Sequence, residues 1–239
     1  MEKVYTVEDY QKGVQVDRRT EVVPGARQAL WSLANLIDPL DWAEVFAREA
    51  PVELDLGCGD GSFLLEYAGR HPERNFLGVE RLMGRLNKII RKRQRLGLEN
   101  VKACRIESAY LLKYLLRSGS LQAIHLYFPD PWPKRRHERH RLVQSDFVGS
   151  CLKALRPGGG IYLRSDHALY FEQMCQFFDQ EPGFAAVQTP EELRELQTDF
   201  EKQWRAQGLE IHYAAYAKKE PPAPQPGLSS GQTGNETHI

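Results

Sequence analysis

The sequence predicts an α/β fold in which a mostly parallel sheet is wrapped on both faces by helices. Three observations predict it. Six short apolar runs recur between residues 52 and 218, segments with apolar residues at helical spacing separate them, and the first run leads straight into a glycine-rich turn that opens a helix. In chain order, residues 1–50 carry two weak helical stretches, Ala26 to Leu36 and Leu40 to Glu49, and read as a helical extension. The strand candidates follow: VELDL (Val52 to Leu56), NFLGVE (Asn75 to Glu80), VKACRI (Val101 to Ile106), LQAIHLYF (Leu121 to Phe128), GIYLRSD (Gly160 to Asp166) and LEIHYAAYAK (Leu209 to Lys218). Between them, Ser62 to Tyr67 and the set Leu82, Leu86, Ile89 and Ile90 have helical period. Residues 51–219 are expected to form one domain. Residues 220–239, rich in Pro, Gly, Ser and Thr, are expected to be a disordered tail.

Of 239 residues, 41% are apolar, 10% aromatic and 27% charged, which is enough for a sizeable core and excludes wholesale disorder or a fibrous repeat. No run reaches about eighteen apolar residues, and the first twenty lack the apolar core of a signal peptide. A cytoplasmic chain that does not enter a membrane is expected. Cys58, Cys104, Cys151 and Cys175 form no CxxC pair, which fits reduced thiols better than disulfides or zinc. Lys plus Arg and Asp plus Glu both total 32, so the net charge is zero, but the cations are unevenly placed. Seven fall between Arg81 and Arg95 with no acid among them, and five more, with His137 and His140, lie between Lys134 and Arg141. Two such windows suit a polyanion, although a solvated helix face and a charged loop would read the same way.

The first strand runs into Gly57-Cys58-Gly59-Asp60-Gly61, placing a glycine loop at the carboxyl end of the sheet, where open α/β folds bind ligands. Glycines in a strand-to-helix turn can serve backbone geometry alone. Here they have company: Asp55 precedes the first glycine by two residues and Glu80 closes the next strand. An acid at that second position accepts hydrogen bonds from both ribose hydroxyls of an adenosine ligand, each charge-assisted bond contributing about 1.5–3 kcal/mol. Ser62 occupies the third glycine position of the dinucleotide pattern, and the phosphate-binding GK[ST] string is absent. The acid before the first glycine would repel a pyrophosphate, whereas it suits the sulfonium and amino groups of S-adenosylmethionine. That cofactor is expected on Asp55, Gly57, Gly59 and Glu80. Glu107, after the third strand, is placed to accept the adenine amino group or is a surface acid at a strand end.

The fourth strand spills into Pro129-Asp130-Pro131-Trp132-Pro133-Lys134. Three prolines stiffen this loop at the active edge, presenting one carboxylate and one ring as if to a flat heterocycle. A proline-braced structural loop is the plain alternative. HERH lacks the HExxH spacing, so no metal is expected.

On ELDLGCGDG, FLGVE, FPDPWPKRRHERHR, LRPGG with LRSDHALY, and TDFE from Thr198 to Glu201, the chain resembles the tRNA (guanine-N7-)-methyltransferase family of the bacterial TrmB type. The resemblance runs in order over residues 51–218. It implies a Rossmann-like class I methyltransferase fold with a mostly parallel seven-stranded sheet and an antiparallel last strand. It also implies methyl transfer from S-adenosylmethionine to N7 of a variable-loop guanosine in tRNA, by a monomer or homodimer. Carried over by position, Asp55, Gly57, Gly59, Glu80, Glu107 and Asp130 line the cofactor site, and Asp130 is the catalytic residue. Lys134, Asp166, Thr198, Asp199, Phe200 and Glu201 hold the guanosine. Asp55, Glu107 and Ser165 stand where the family usually has Glu, Asp and Thr. Two alternatives remain at the sequence level: another base methyltransferase using the same cofactor, and a non-catalytic RNA-binding relative of the fold.

Overall fold

The structure is a computed structural model that describes residues 29–33 and 35–221. The expected tail from residue 222 onward, most of the amino-terminal extension and the start of the first weak helical stretch lie outside the described residues. The strands are β1 (Leu30–Trp31), β2 (Val52–Leu56), β3 (Asn75–Val79), β4 (Val101–Cys104), β5 (Leu121–Tyr127), β6 (Leu155–Ser165), β7 (Phe184–Val187) and β8 (His212–Lys218). They form one sheet in the order β1-β4-β3-β2-β5-β6-β8-β7. Every neighbouring pair is parallel except those made by β8, which runs against both β6 and β7. The expected seven-stranded sheet with a reversed last strand is therefore present, and β1 adds an eighth strand at its edge.

The helices are α1 (Trp42–Val45), α2 (Ser62–Arg70), α3 (Met83–Leu96), α4 (Ser108–Tyr110), α5 (Ser145–Ala154), α6 (Ala168–Asp179), α7 (Glu191–Glu195) and α8 (Asp199–Ala206). A π turn, Leu111–Leu115, continues α4, and a 3-10 turn spans Arg135–His140. Two expectations for the amino-terminal region are corrected. Leu30 and Trp31 lie in a strand against Ala103 and Cys104, not in a helix, because completing the edge of β4 outweighs a weak local preference. In Leu40 to Glu49 only the four residues of α1 are helical.

The strands β2 and β3 are buried along their whole length, as parallel strands covered on both faces must be. Alternation divides their side chains. Leu54, Leu56, Ile124, Leu126, Ile161 and Leu163 face one core with Phe147 and Val148 of α5 and Tyr170, Met174 and Phe178 of α6. The opposite core joins Phe63, Leu64 and Tyr67 of α2 to Phe76, Tyr127 and the Leu86–Ile89 face of α3. Leu82, included in the helical repeat, is instead an exposed residue ahead of α3. On the second core's side the strands also carry Glu53, Asp55, His125 and Arg164, all buried, so a polar layer lies inside the sheet next to the carboxyl ends of its strands.

Candidate active site

The loop after β2 is held open by three left-handed glycines, Gly57 (φ 73°), Gly59 (φ 59°) and Gly61 (φ 78°), a conformation that costs other residues energy. The amides of Gly57 and Cys58 both donate to the Val79 carbonyl, at 2.8 and 3.0 Å, which ties the loop to the end of β3. Around Gly57 and Gly59 there is open space where a side chain would begin, whereas at Gly61 a Cβ would stand 2.8 Å from Ile89 Cγ1. The first two glycines leave the rim free for a ligand, and the third lets α2 close against α3.

Three acids stand at the carboxyl ends of adjacent strands. Asp55, on β2, is 4% exposed. Burial pushes its carboxyl up, the Arg164 guanidinium pulls it back and the Glu80 charge pushes it up again, so it titrates at about 7. Glu80 follows β3. Its Oε1 accepts from the backbone N–H groups of Arg81 (2.7 Å) and Leu82 (3.0 Å), and its Oε2 lies 3.3 Å from Arg85 Nη1. It therefore caps the approach to α3. Glu107, after β4, caps α4 by accepting from Ala109 N (3.0 Å) and Tyr110 N (2.7 Å). The cap gives Glu107 a structural duty that the sequence pattern did not distinguish from ligand binding.

After β5 the chain turns through two non-glycine residues with positive φ, Phe128 (54°) and Trp132 (41°), flanking Asp130. Bulky residues rarely hold this conformation, and such strain clusters at functional turns. Asp130, Trp132 and Lys134 are exposed. The Trp132 ring meets His140 at 5.2 Å and His137 at 5.8 Å. Arg141 closes this loop from beneath. It is 9% exposed, its Nε donates to the Pro131 carbonyl at 2.8 Å, its Nη1 bonds Gln173 of α6, and its guanidinium covers the Tyr170 ring at 5.1 Å. Arg141 thus leaves the basic surface that its sequence window suggested.

Asp166 is half-buried immediately after β6. Thr198 caps α8, its Oγ1 accepting from Glu201 N at 3.0 Å, and Asp199 N donates to Ser62 Oγ at 3.1 Å. That bond brings the start of α8 onto the glycine loop 137 residues away in sequence. Phe200 is exposed, with the Arg85 guanidinium 5.8 Å from its ring. The structure thus brings Asp55, Gly57, Gly59, Glu80, Glu107, Asp130 and Asp166 to one rim of the sheet and lays Thr198, Asp199 and Phe200 beside it. Glu201 alone turns inward, fully buried. A groove of about 550 Å³ between α2 and α3, lined by Leu65, Lys92 and Arg95, opens on the outer flank rather than at this rim.

Of the seven cations between Arg81 and Arg95, Arg85 is committed to Glu80, Lys92 to Asp60 (2.8 Å) and Arg93 to the Val101 carbonyl (2.8 Å). Arg81, Lys88, Arg91 and Arg95 are exposed, as are Lys134, Arg136 and Arg139. Sequence reasoning missed the interior group Glu53, His125 and Arg164. Its signal was polar residues at alternate positions in strands that a parallel sheet buries on both faces. Among the described residues no set of three or more His, Cys, Asp or Glu is gathered as for a metal, and no helix is long and apolar enough to cross a membrane.

A sheet in this order with one reversed strand, and acids at the ends of consecutive strands, defines a methyltransferase of the Rossmann-like class. The solved 16S rRNA methyltransferase KamB shares the fold, with a TM-score of 0.55 at 16% identity over 75% of this chain and 93% of its own. The family model described as "Putative methyltransferase" matches residues 49–214. A tRNA (guanine-N(7)-)-methyltransferase of Alkalilimnicola ehrlichii is 35% identical over 188 residues, covering 77% of this chain and 79% of its own. One of the same name from Syntrophotalea carbinolica is 35% identical over 201 residues, covering 80% and 87%. The chain belongs to the tRNA (guanine-N7-)-methyltransferase family.

Proposed function

We propose that this protein transfers the methyl group of S-adenosylmethionine to N7 of a guanosine in tRNA, with Asp130 as the catalytic residue. The observation that carries the reading is the row of acids, Asp55, Glu80 and Glu107, at the ends of β2, β3 and β4, with Asp130 next in line on a strained loop after β5. The residues present fit the cofactor. Open backbone at Gly57 and Gly59 leaves room for an adenosine moiety, whose ribose Glu80 would hold and whose adenine amino group Glu107 would hold, while the buried Asp55 would hold its cationic amino and sulfonium groups. When bound, S-adenosylmethionine supplies an electrophilic methyl group on a positively charged sulfur.

The chain's own work is positional and electrostatic. Guanine N7 carries a lone pair and no proton, so no side chain has to remove one. Holding that nitrogen in line with the methyl group supplies about 7–11 kcal/mol through effective molarity. Positive charge moves onto the purine as the bond forms, and the Asp130 carboxylate stabilises it or holds the donor edge of the base. Trp132 offers the ring against which a splayed base stacks. Lys134, Asp166 and the segment Thr198, Asp199 and Phe200 hold the nucleotide, and the exposed cations of α3 and the 3-10 turn bind the phosphate backbone.

The test is incubation of the full chain with methyl-labelled S-adenosylmethionine and unmodified tRNA, followed by mapping of 7-methylguanosine by reductive strand scission. Label on guanine N7 is the expected result. Label on an adenine or cytosine amine would make the protein a different base methyltransferase, and cofactor binding without transfer would make it a binding module.

A further inference from the structure

The largest fully buried side chain among the described residues belongs to a residue with no assigned role. Arg164, the penultimate residue of β6, is 1% exposed. Its Nη1 donates to Glu201 Oε2 at 2.9 Å and to the Leu196 carbonyl at 2.7 Å, and its Nη2 to the Leu193 carbonyl. The guanidinium lies 4.0 Å from the Tyr127 ring, 5.3 Å from Phe63 and 5.4 Å from Tyr213. Glu201 is 0% exposed, and its other oxygen accepts from Arg205 Nε at 3.0 Å and from the Tyr213 hydroxyl. Both oxygens of Glu201 therefore accept hydrogen bonds from groups of the protein, away from solvent.

We infer that Arg164 and Glu201 form a positioning pair for the acceptor side of the site, and that Glu201 does not touch the guanosine. The inference rests on the proposed function. Arg164 reaches out of the sheet to the end of α7, through Leu193 and Leu196, and to the first turn of α8, through Glu201. Holding those points fixes the α7–α8 segment, so that Thr198 caps α8 and Asp199 meets Ser62 at the glycine loop. A charged, forked donor suits this task because one rigid, planar guanidinium spans a carboxylate and two carbonyls in fixed directions, whereas an ammonium is a compact point charge on a flexible stem. The same cation draws the Asp55 carboxyl toward its ionised form, so a single buried charge serves the cofactor side and the acceptor side.

The experiment compares Arg164→Lys, Glu201→Gln, the double variant and Tyr213→Phe in the full chain. It measures steady-state kinetics with tRNA, S-adenosylmethionine binding and amide hydrogen exchange over residues 191–206. Arg164→Lys and Glu201→Gln are each expected to raise KM for tRNA by about tenfold, to speed exchange in that segment and not in β2 or β5, and not to multiply in the double variant, since both break one contact. Glu201→Gln is expected to leave cofactor affinity within about twofold. Tyr213→Phe removes one hydroxyl from Glu201 and is expected to move both readouts in the same direction by less, so the pair is tested even if Arg164→Lys does not fold. A rise in KM for Glu201→Gln with unchanged exchange, or penalties that multiply, would return Glu201 to the guanosine and overturn the inference, as would unchanged KM. If the unaltered protein methylated no tRNA, the proposed function would fall while exchange still tested the clamp.

Discussion

Asp55 is the acid of the rim whose carboxyl burial pushes up. A carboxyl that titrates at about 7 instead of 3.8 binds a proton in the folded protein that it would release in the unfolded chain. Ionising it therefore works against folding, and the free protein is expected to lose stability as pH rises from about 4 through about 7. For a cationic ligand the sign is opposite, because the proton competes for the same carboxylate. Affinity for S-adenosylmethionine is expected to tighten by about tenfold between pH 6 and pH 8, the range over which about a tenth to nine-tenths of Asp55 is ionised, and Asp55→Asn should flatten the dependence. Calorimetric titration in that range checks it, and equal affinity at both ends would show that Asp55 does not meet the cation. Asp130 is the second residue with a sharp expectation. Asp130→Ala should lower turnover by about a hundredfold or more, because it removes the carboxylate nearest the expected reaction. Single-turnover rates near those of the unaltered protein would exclude it from the mechanism.

At the scale of elements, each turn at the rim is held by contacts between residues distant in sequence. Gly61 has both a left-handed backbone and no room for a methyl group against Ile89, so Gly61→Ala should destabilise the fold by about 1–3 kcal/mol. A thermal midpoint within a degree of the unaltered protein would mean that α2 and α3 adjust freely. The loop carrying Asp130 is fastened by Arg141 to Pro131 and α6, and its preceding strand by a buried group in which His125 links the Tyr127 hydroxyl (2.9 Å) to Glu53 (2.8 Å), itself paired with Arg74 at 2.7 Å. Burial pushes the Glu53 carboxyl up, but the His125 hydrogen bond and the charges of His125 and Arg74 prevail and hold it below the usual range. What was legible in the sequence follows this division. Asp55, Glu80 and Asp130 announce themselves by adjacency: an acid next to a strand end or a glycine turn needs only a few residues to be seen. Arg164 with Glu201, 37 positions apart, and Arg141, at the end of a run of basic residues, are defined by contacts through space. Leu30 and Trp31 carry no strand signal for the same reason, since only pairing with β4 makes a strand of two residues.

Over the whole molecule, cations and acids balance, so attraction of tRNA from a distance is weak and binding depends on local patches. The contacts of Arg85, Lys92, Arg93 and Arg141 within the protein leave exposed, among the described side chains of the two basic windows, Arg81, Lys88, Arg91, Arg95, Lys134, Arg136 and Arg139. If about four to six of them meet phosphates, log K for tRNA should fall against log salt with a slope of about −3 to −5, and the double variant Arg91→Ala with Arg95→Ala should lower the slope by about 1 to 2. Filter binding across a salt series measures this, and a flat dependence would place the tRNA elsewhere. The alternation of strand and helix was readable along the chain, whereas the reversed last strand came from the family resemblance and the short β7 had no signal in the sequence. The closing of α8 onto the glycine loop was not readable either, because one hydrogen bond from Asp199 to Ser62 establishes it.

The most direct measurement is a crystal structure of the full chain with S-adenosylhomocysteine, the product left after methyl transfer. The account predicts the ligand over Gly57 and Gly59, with its ribose hydroxyls on Glu80 and its amino group beside Asp55. A ligand bound elsewhere, or excluded from that rim at saturating concentration, would contradict it.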